Sequence, residues 1–232
     1  MPVLAFVNCL DTQERERYHT FTIDQEGYMY VVHEEYTLAT PYQPAYEERV
    51  RGIHATMAKQ PGLVGAYVLR YLGNGSRYLA VRTWESREQA QAWSRDPDFR
   101  SYLSSRPPEM YSRPPIIEYY DRMPGGTQGD GKAGFVAEVT CEAAGGRQGE
   151  FEAWQRDVAD RCVGLKGFVE RQAYKFLGNN SKYFWLSVWG SWEAFEAGVL
   201  DSPMGAYLRE HPAREMVSVP NVQRFYRVID QR

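Results

Sequence analysis

One stretch of this chain occurs twice. Residues 72–88 read LGNGSRYLAVRTWESRE and residues 177–193 read LGNNSKYFWLSVWGSWE, so that Leu72, Gly73, Asn74, Ser76, Tyr78, Trp84, Ser86 and Glu88 recur 105 positions on as Leu177, Gly178, Asn179, Ser181, Tyr183, Trp189, Ser191 and Glu193. A period of that length is too long for a solenoid unit and about the size of a small domain. The expectation is therefore two copies of one domain: an extension over 1–27, a repeat over 28–123, a Gly-rich linker over 124–134 and a second repeat over 135–232.

The periodicities within each copy agree with one another. In the first, YMYVVHEEYTL at 28–38 suits a strand with both faces in use. Tyr46, Val50, Ile53 and Met57 then recur at helical spacing up to the Pro61-Gly62 stop. Residues 63–71 and 77–84 read as strands joined by a hairpin, in which Gly73, Asn74 and Gly75 would supply positive φ. Ser86 is a candidate N-cap for the next helix, Asp96-Pro97 breaks it, and 114–122 closes the copy as a strand with two prolines at its start. The second copy follows suit, with strands at 135–142 and 167–176, SKYFWLSVW, a helix in WEAFEAGVL and a last strand, NVQRFYRVI; a helix over 151–163 follows its first strand.

The order β-α-β-β-α-β is ferredoxin-like, with an antiparallel sheet and both helices on one face. The predicted fold class is α+β, with two such repeats whose apolar sheet faces close on each other as an intramolecular dimeric α+β barrel.

With 43% apolar and 14% aromatic residues, the chain can fill two ordinary cores. The net charge of −3, without basic runs, argues against nucleic acid or an anionic membrane as partner. Cys9, Cys141 and Cys162 have no Cys-x-x-Cys spacing, which together with the absence of a signal-peptide pattern points to a reducing cytoplasm. The apolar run Val3–Val7 reads as an extra strand. His19 and His211 have no partner at ligand spacing, so no metal site is expected. The Gly73–Gly75 turn joins two strands and so is not a phosphate loop.

A third strand ending in Thr83-Trp84-Glu85-Ser86, followed by a helix carrying Trp93 and then Phe99, resembles the antibiotic biosynthesis monooxygenase family of the dimeric α+β barrel superfamily. Its anthrone-type oxygenases carry an amide four before that tryptophan, an aromatic six after it and an arginine about twenty after it; Gln89, Phe99 and Arg113 hold those places here. Gln89 replaces the pattern's asparagine, and Phe99 lacks the hydroxyl of its tyrosine. The haem-degrading branch would need a histidine where Leu103 and Leu208 stand. The resemblance implies an oxygenase of electron-rich aromatic polyketides (anthrone, phenol or hydroquinone), acting in antibiotic biosynthesis by hydroxylation, quinone formation or ring opening. Tandem relatives that open an angucycline ring make that subgroup a candidate. The reaction needs O2 and either no tightly bound cofactor or reduced flavin (FMNH2 or FADH2) as cosubstrate from a separate reductase; a homodimer is a candidate assembly. Rival readings are a non-catalytic binder of an aromatic ligand and a non-oxidative polyketide cyclase.

Within that frame Gln89, Trp93 and Arg113 are the candidate catalytic set, with Glu34, His54 and His33 as candidate bases; Glu34 serves if an apolar site raises its carboxyl toward neutrality. Tyr67, Tyr78, Trp84, Phe99 and His33 are candidate substrate contacts. The plainer readings stand beside these. Trp84 and Trp189 share a repeat position and fit packing, His33 fits a solvated or barrel-lining residue, and His54 fits a helix flank. Trp93 has only Gly198 as counterpart, and Glu34 has Val139, so neither is explained by a core common to both copies.

Overall fold

The computed structural model describes residues 28–232 except 130, 201 and 212; the strand expected at Val3–Val7 lies outside the described residues. In the first half β1 (Met29–Leu38), α1 (Gln43–Met57), β2 (Leu63–Tyr71), β3 (Arg77–Trp84), α2 (Arg87–Arg95), α3 (Pro97–Ser104) and β4 (Tyr111–Arg122) follow in order. The short β5 (Thr127–Gln128) leads into β6 (Phe135–Ala143), α4 (Gln148–Cys162), β7 (Phe168–Phe176), β8 (Lys182–Trp189), α5 (Trp192–Phe195), α6 (Pro203–Glu210) and β9 (Val217–Gln231).

The strands run β4-β1-β3-β2-β9-β6-β8-β7-β5, and β4 also pairs with β7. Each half thus contributes a four-stranded antiparallel sheet of the same internal order. The two are zipped through β2–β9, where Tyr71 faces Tyr226, and through β4–β7, where Tyr120 faces Phe176. Closure removes the long free edges that would otherwise invite pairing with other chains. The result is a mixed α+β fold with a closed antiparallel barrel.

Local chemistry explains the elements. α1 buries Tyr46, Val50, Ile53 and Met57 along one stripe, with Pro44 in its first turn, where a missing N–H costs nothing. Ser86 caps α2 by accepting from the Gln89 amide, and Asp96 caps α3 by accepting from the Asp98 and Phe99 amides. β3 and β8 are buried along nearly their whole length because helices cover one face and the barrel interior the other. Trp84 and Trp189 are both fully buried in the helix-facing cores.

Four sequence expectations are corrected. The hairpin glycines do not supply positive φ. Asn74 and Asn179 close the turns, each side-chain oxygen accepting from the amide two residues on, while Gly73 is small because a Cβ there would lie 2.8 Å from the Tyr71 ring. Pro114 and Pro115 sit inside β4 rather than at its start. They are accommodated where the register with β1 slips between Glu35 and Thr37, so no regular ladder bond is lost. The 124–134 segment is not simply a free linker: Thr127 and Gln128 pair with Arg171 and Glu170 of β7. The barrel face is not wholly apolar either. Val31, Leu69, Leu79 and Val81 meet Val136, Phe184, Leu186 and Val188, but His33 and Glu138 are buried among them.

Candidate active site

Strand alternation sends Glu34 and Tyr36 of β1 and Arg82 of β3 to the helix-covered side of the first half. There Arg82 donates to Glu34, and the Tyr36 hydroxyl donates to the same carboxylate oxygen. Glu34 and Arg82 are only 8% and 6% exposed, so the pair is shielded from water on all sides. Tyr36 leads to Tyr111, with ring centroids 5.8 Å apart; Tyr111 accepts from Arg106, and the Arg106 guanidinium lies 4.9 Å over the Tyr102 ring. Tyr102 stacks on Phe99, and Phe99 lies 5.0 Å from Trp93. An unbroken line of polar and aromatic side chains therefore runs from Glu34 to Trp93 beneath α3.

Two donors along the line are unused. Among the described residues, buried Arg106 Nε and Trp93 Nε1 have no hydrogen-bond partner. Burial alone would raise the Glu34 carboxyl, but Arg82, the Tyr36 hydroxyl and Arg106 outweigh it and hold it below the usual carboxylate range. That corrects the expectation of a Glu34 raised toward neutrality: its environment is apolar, yet it contains two cations. Burial and the Glu34 charge push Tyr36 well above the ordinary phenol range, so it remains a donor.

Trp93, Phe99, Glu34, Tyr78 and Trp84 all fall on this side of the sheet. Tyr78 and Trp84 are fully buried, and the Tyr78 hydroxyl is committed to Glu47. Gln89 lies at the edge, donating to Glu85 and packed over Gly62, whose φ of 81° and missing Cβ make room for the amide. Arg113 is exposed and donates to Thr37, away from the buried line; the cations that reach it are Arg82 and Arg106. His54 is not a helix-flank residue but is buried, its Nδ1 3.0 Å from Asp230, and burial lowers its pKa despite that carboxylate.

Tyr67 and His33 face the other way, into the barrel. His33 Nε2 lies 3.2 Å from Glu138, which also accepts from Tyr226, and Gln231 donates to Tyr67. Near them Glu118 accepts from Lys182 and Tyr120. The candidate contacts therefore divide between two faces of one sheet, a division that side-chain alternation in β1 and β2 imposes.

Sequence reasoning missed Tyr36, Arg82, Tyr102, Arg106 and Tyr111. A signal was available for the buried pair: the residues 105 positions beyond Glu34, Tyr36 and Arg82 are Val139, Cys141 and Ser187, so three polar positions clustered in space are apolar or small in the other half. Among the described residues no group of His, Cys, Asp and Glu is arranged to hold a metal ion, and no helix is long and apolar enough to cross a membrane.

Comparison with known proteins gives one family match and several structural likenesses. Residues 29–104 match the family described as antibiotic biosynthesis monooxygenase, a span that contains β1 to α3 and so the core of the buried line. No curated protein matches the sequence. Among solved structures, a candidate monooxygenase of Fusobacterium nucleatum subsp. nucleatum superposes with a TM-score of 0.76 at 8% identity, covering 89% of this chain and 94% of that one. A candidate monooxygenase of Lactobacillus acidophilus gives 0.71 at 11% identity over 88% and 96%. An anthrone oxidase-like protein gives 0.58 at 15% identity over 89% and 94%. At such identities these likenesses show a shared fold, and with the family match they support a general monooxygenase-type role. Residues 29–104, about a third of the chain, thus match the antibiotic biosynthesis monooxygenase family.

Proposed function

We propose that the first half is an O2-dependent oxygenase site for an electron-rich polycyclic aromatic polyketide, such as an anthrone or a hydroquinone, with the substrate seated between Trp93 and Arg106. The observation that carries this reading is the pair of buried, unused donors, Arg106 Nε within and Trp93 Nε1 at the end of an aromatic line closed by a Glu34–Arg82 pair. A flat ring with one oxygen has a matching chemistry: aromatic walls for its faces, a cation and an N–H for its oxygen.

Ground-state O2 is a triplet and accepts single electrons, so the substrate has to be made an electron-rich anion. A guanidinium about 4 Å from a phenolate contributes about 4 kcal/mol at an effective dielectric of about 20, enough to bring a phenol from about 10 to near neutrality. The proton leaves to solvent, while the ionised Glu34 holds the Tyr36 hydroxyl as a donor on the line and balances the Arg82 charge. The anion gives one electron to O2, the radical pair combines into a hydroperoxide, and loss of water leaves a carbonyl. For an anthrone, one ring methylene and one O2 give one ring carbonyl and one water, so both oxygen atoms are accounted for and all electrons come from the substrate. All electrons in this reading come from the substrate, so it draws on no resident flavin; Gly73–Gly75 join β2 to β3 rather than open a helix toward a phosphate.

Entry requires a cover that moves. α3 has no fully buried residue, though Phe99 and Tyr102 roof the line, so its displacement costs less than that of α1, which buries five. The test is oxygen uptake with product mass over a panel of anthrones and angucycline hydroquinones, with and without reduced flavin. Uptake without flavin and a product heavier by one oxygen and lighter by two hydrogens is the expected result, with kcat falling about 10²–10³-fold in R106M. Tight binding without oxygen uptake would instead identify a ligand-sequestering protein, and product formation without added oxygen a cyclase.

A further inference from the structure

The barrel interior carries acids and bases in a pattern that inverts between the two halves. His33 of β1 and Glu138 of β6 are 105 residues apart, the period of the repeat, so they hold the same place in their two sheets. They meet across the barrel, His33 Nε2 lying 3.2 Å from Glu138 Oε1, and they are 1% and 0% exposed. The residue opposite each of them on the neighbouring strand is inverted as well: Glu118 of β4 stands opposite His33, and Arg224 of β9 opposite Glu138. The surroundings, by contrast, are alike. Val31 faces Tyr120 in one half and Val136 faces Tyr226 in the other, and each tyrosine hydroxyl donates to the carboxylate of its own half, Tyr120 to Glu118 and Tyr226 to Glu138.

Inversion makes equivalent positions into opposite partners. The first half places a nitrogen donor on β1 and a carboxylate on β4; the second places a carboxylate on β6 and a guanidinium on β9. Burial alone would raise the Glu138 carboxyl, but His33, the Tyr226 hydroxyl and Arg224 outweigh it and hold it below the usual carboxylate range. Two further ion pairs join the halves at the same face, Glu118 accepting from Lys182 and Glu35 lying 3.2 Å from Arg224. Pairing of two second halves would set Glu138 against its own copy, and two buried carboxylates in one place cannot both ionise. Pairing of two first halves would set imidazole against imidazole, with no carboxylate for either. The 124–134 segment raises the local concentration of one half around the other, but it does not choose between like and unlike faces when two chains meet.

We propose that this inversion selects the partner of each sheet: the inner face of the first half accepts a second half and rejects another copy of itself, and the His33–Glu138 contact reads the difference. The inference rests on the barrel interior alone and stands apart from the oxygenase reading.

Thermal unfolding of the full chain tests it. H33E reproduces at this place the carboxylate pair of two second halves, while H33Q removes the imidazole without adding charge. The H33E midpoint should lie below that of H33Q by roughly 6–20 °C. E138Q should lower the midpoint in the wild-type background, where it removes the charge shared by His33, Tyr226 and Arg224, and raise it in H33E, where it removes a like charge. An H33E midpoint equal to that of H33Q, or an E138Q effect of the same sign in both backgrounds, would overturn the proposal. If H33E does not fold, H33E/E138Q decides: recovery of a cooperative transition supports the selection, and failure to recover one overturns it.

Discussion

Glu34→Gln is the sharpest perturbation of the buried line. It keeps the side-chain volume and an oxygen for the Tyr36 hydroxyl but removes the charge that Arg82 faces at 6% exposure. Breaking a buried pair from one side leaves the other charge uncompensated and costs about 3–5 kcal/mol. For a chain of this length each kcal/mol moves the unfolding midpoint by about 2–4 °C, so a loss of roughly 6–20 °C is expected. Arg82→Met should cost a similar amount at pH 7 by stranding Glu34. The double variant E34Q/R82M buries no charge at the pair and should lose less than the sum of the two, by about 2–3 kcal/mol of coupling. Urea unfolding followed by circular dichroism measures all four proteins. The sign with pH follows from the lowered Glu34 carboxyl. Its contribution is fully present above the unfolded value near 4.5 and is lost as pH falls through the lower folded value, so wild type should lose stability more steeply than E34Q below about pH 4.5. Strictly additive single losses would refute the coupling and, with it, the reading of these residues as one electrostatic unit.

Other expectations follow from the same geometry. Burial lowers the His54 pKa, so its contribution is present above the unfolded value of 6.5 and is lost as pH falls below it; H54Q should flatten the stability profile below pH 6.5, measured by urea midpoints. Gly198→Ala would bring a Cβ to 2.6 Å from the Trp189 ring, and overpacking of this kind should lower stability by about 1–3 kcal/mol in thermal unfolding. Arg113→Ala, altering an exposed residue, should change stability by less than about 0.5 kcal/mol and leave oxygen uptake intact; a collapse of uptake in that variant would move the anion-holding role from Arg106 to Arg113.

Much of the architecture was legible in the chain. Tyr46, Val50, Ile53 and Met57 marked α1, Ser86 marked the start of α2 and Asp96-Pro97 the break after it, and the recurrence of Leu72–Glu88 at Leu177–Glu193 pointed to a like order of elements in both halves. These are local signals, set by helical and strand periodicity and by capping chemistry within a few residues. Trp93 and Glu34 stood out because the residues 105 positions beyond them are different in kind.

Tertiary structure alone decided which charges meet. Arg82 lies 48 residues from Glu34, and His54 lies 176 from Asp230; strand pairing and helix docking bring each couple together. The same holds for protonation, since whether Glu34 is raised or lowered depends on two arginines delivered by other elements. Alternation in a strand can be read from its residues, but which face looks into a barrel and which toward a helix is settled only when the second sheet closes, and that closure put His33 and Tyr67 inside and Glu34 outside.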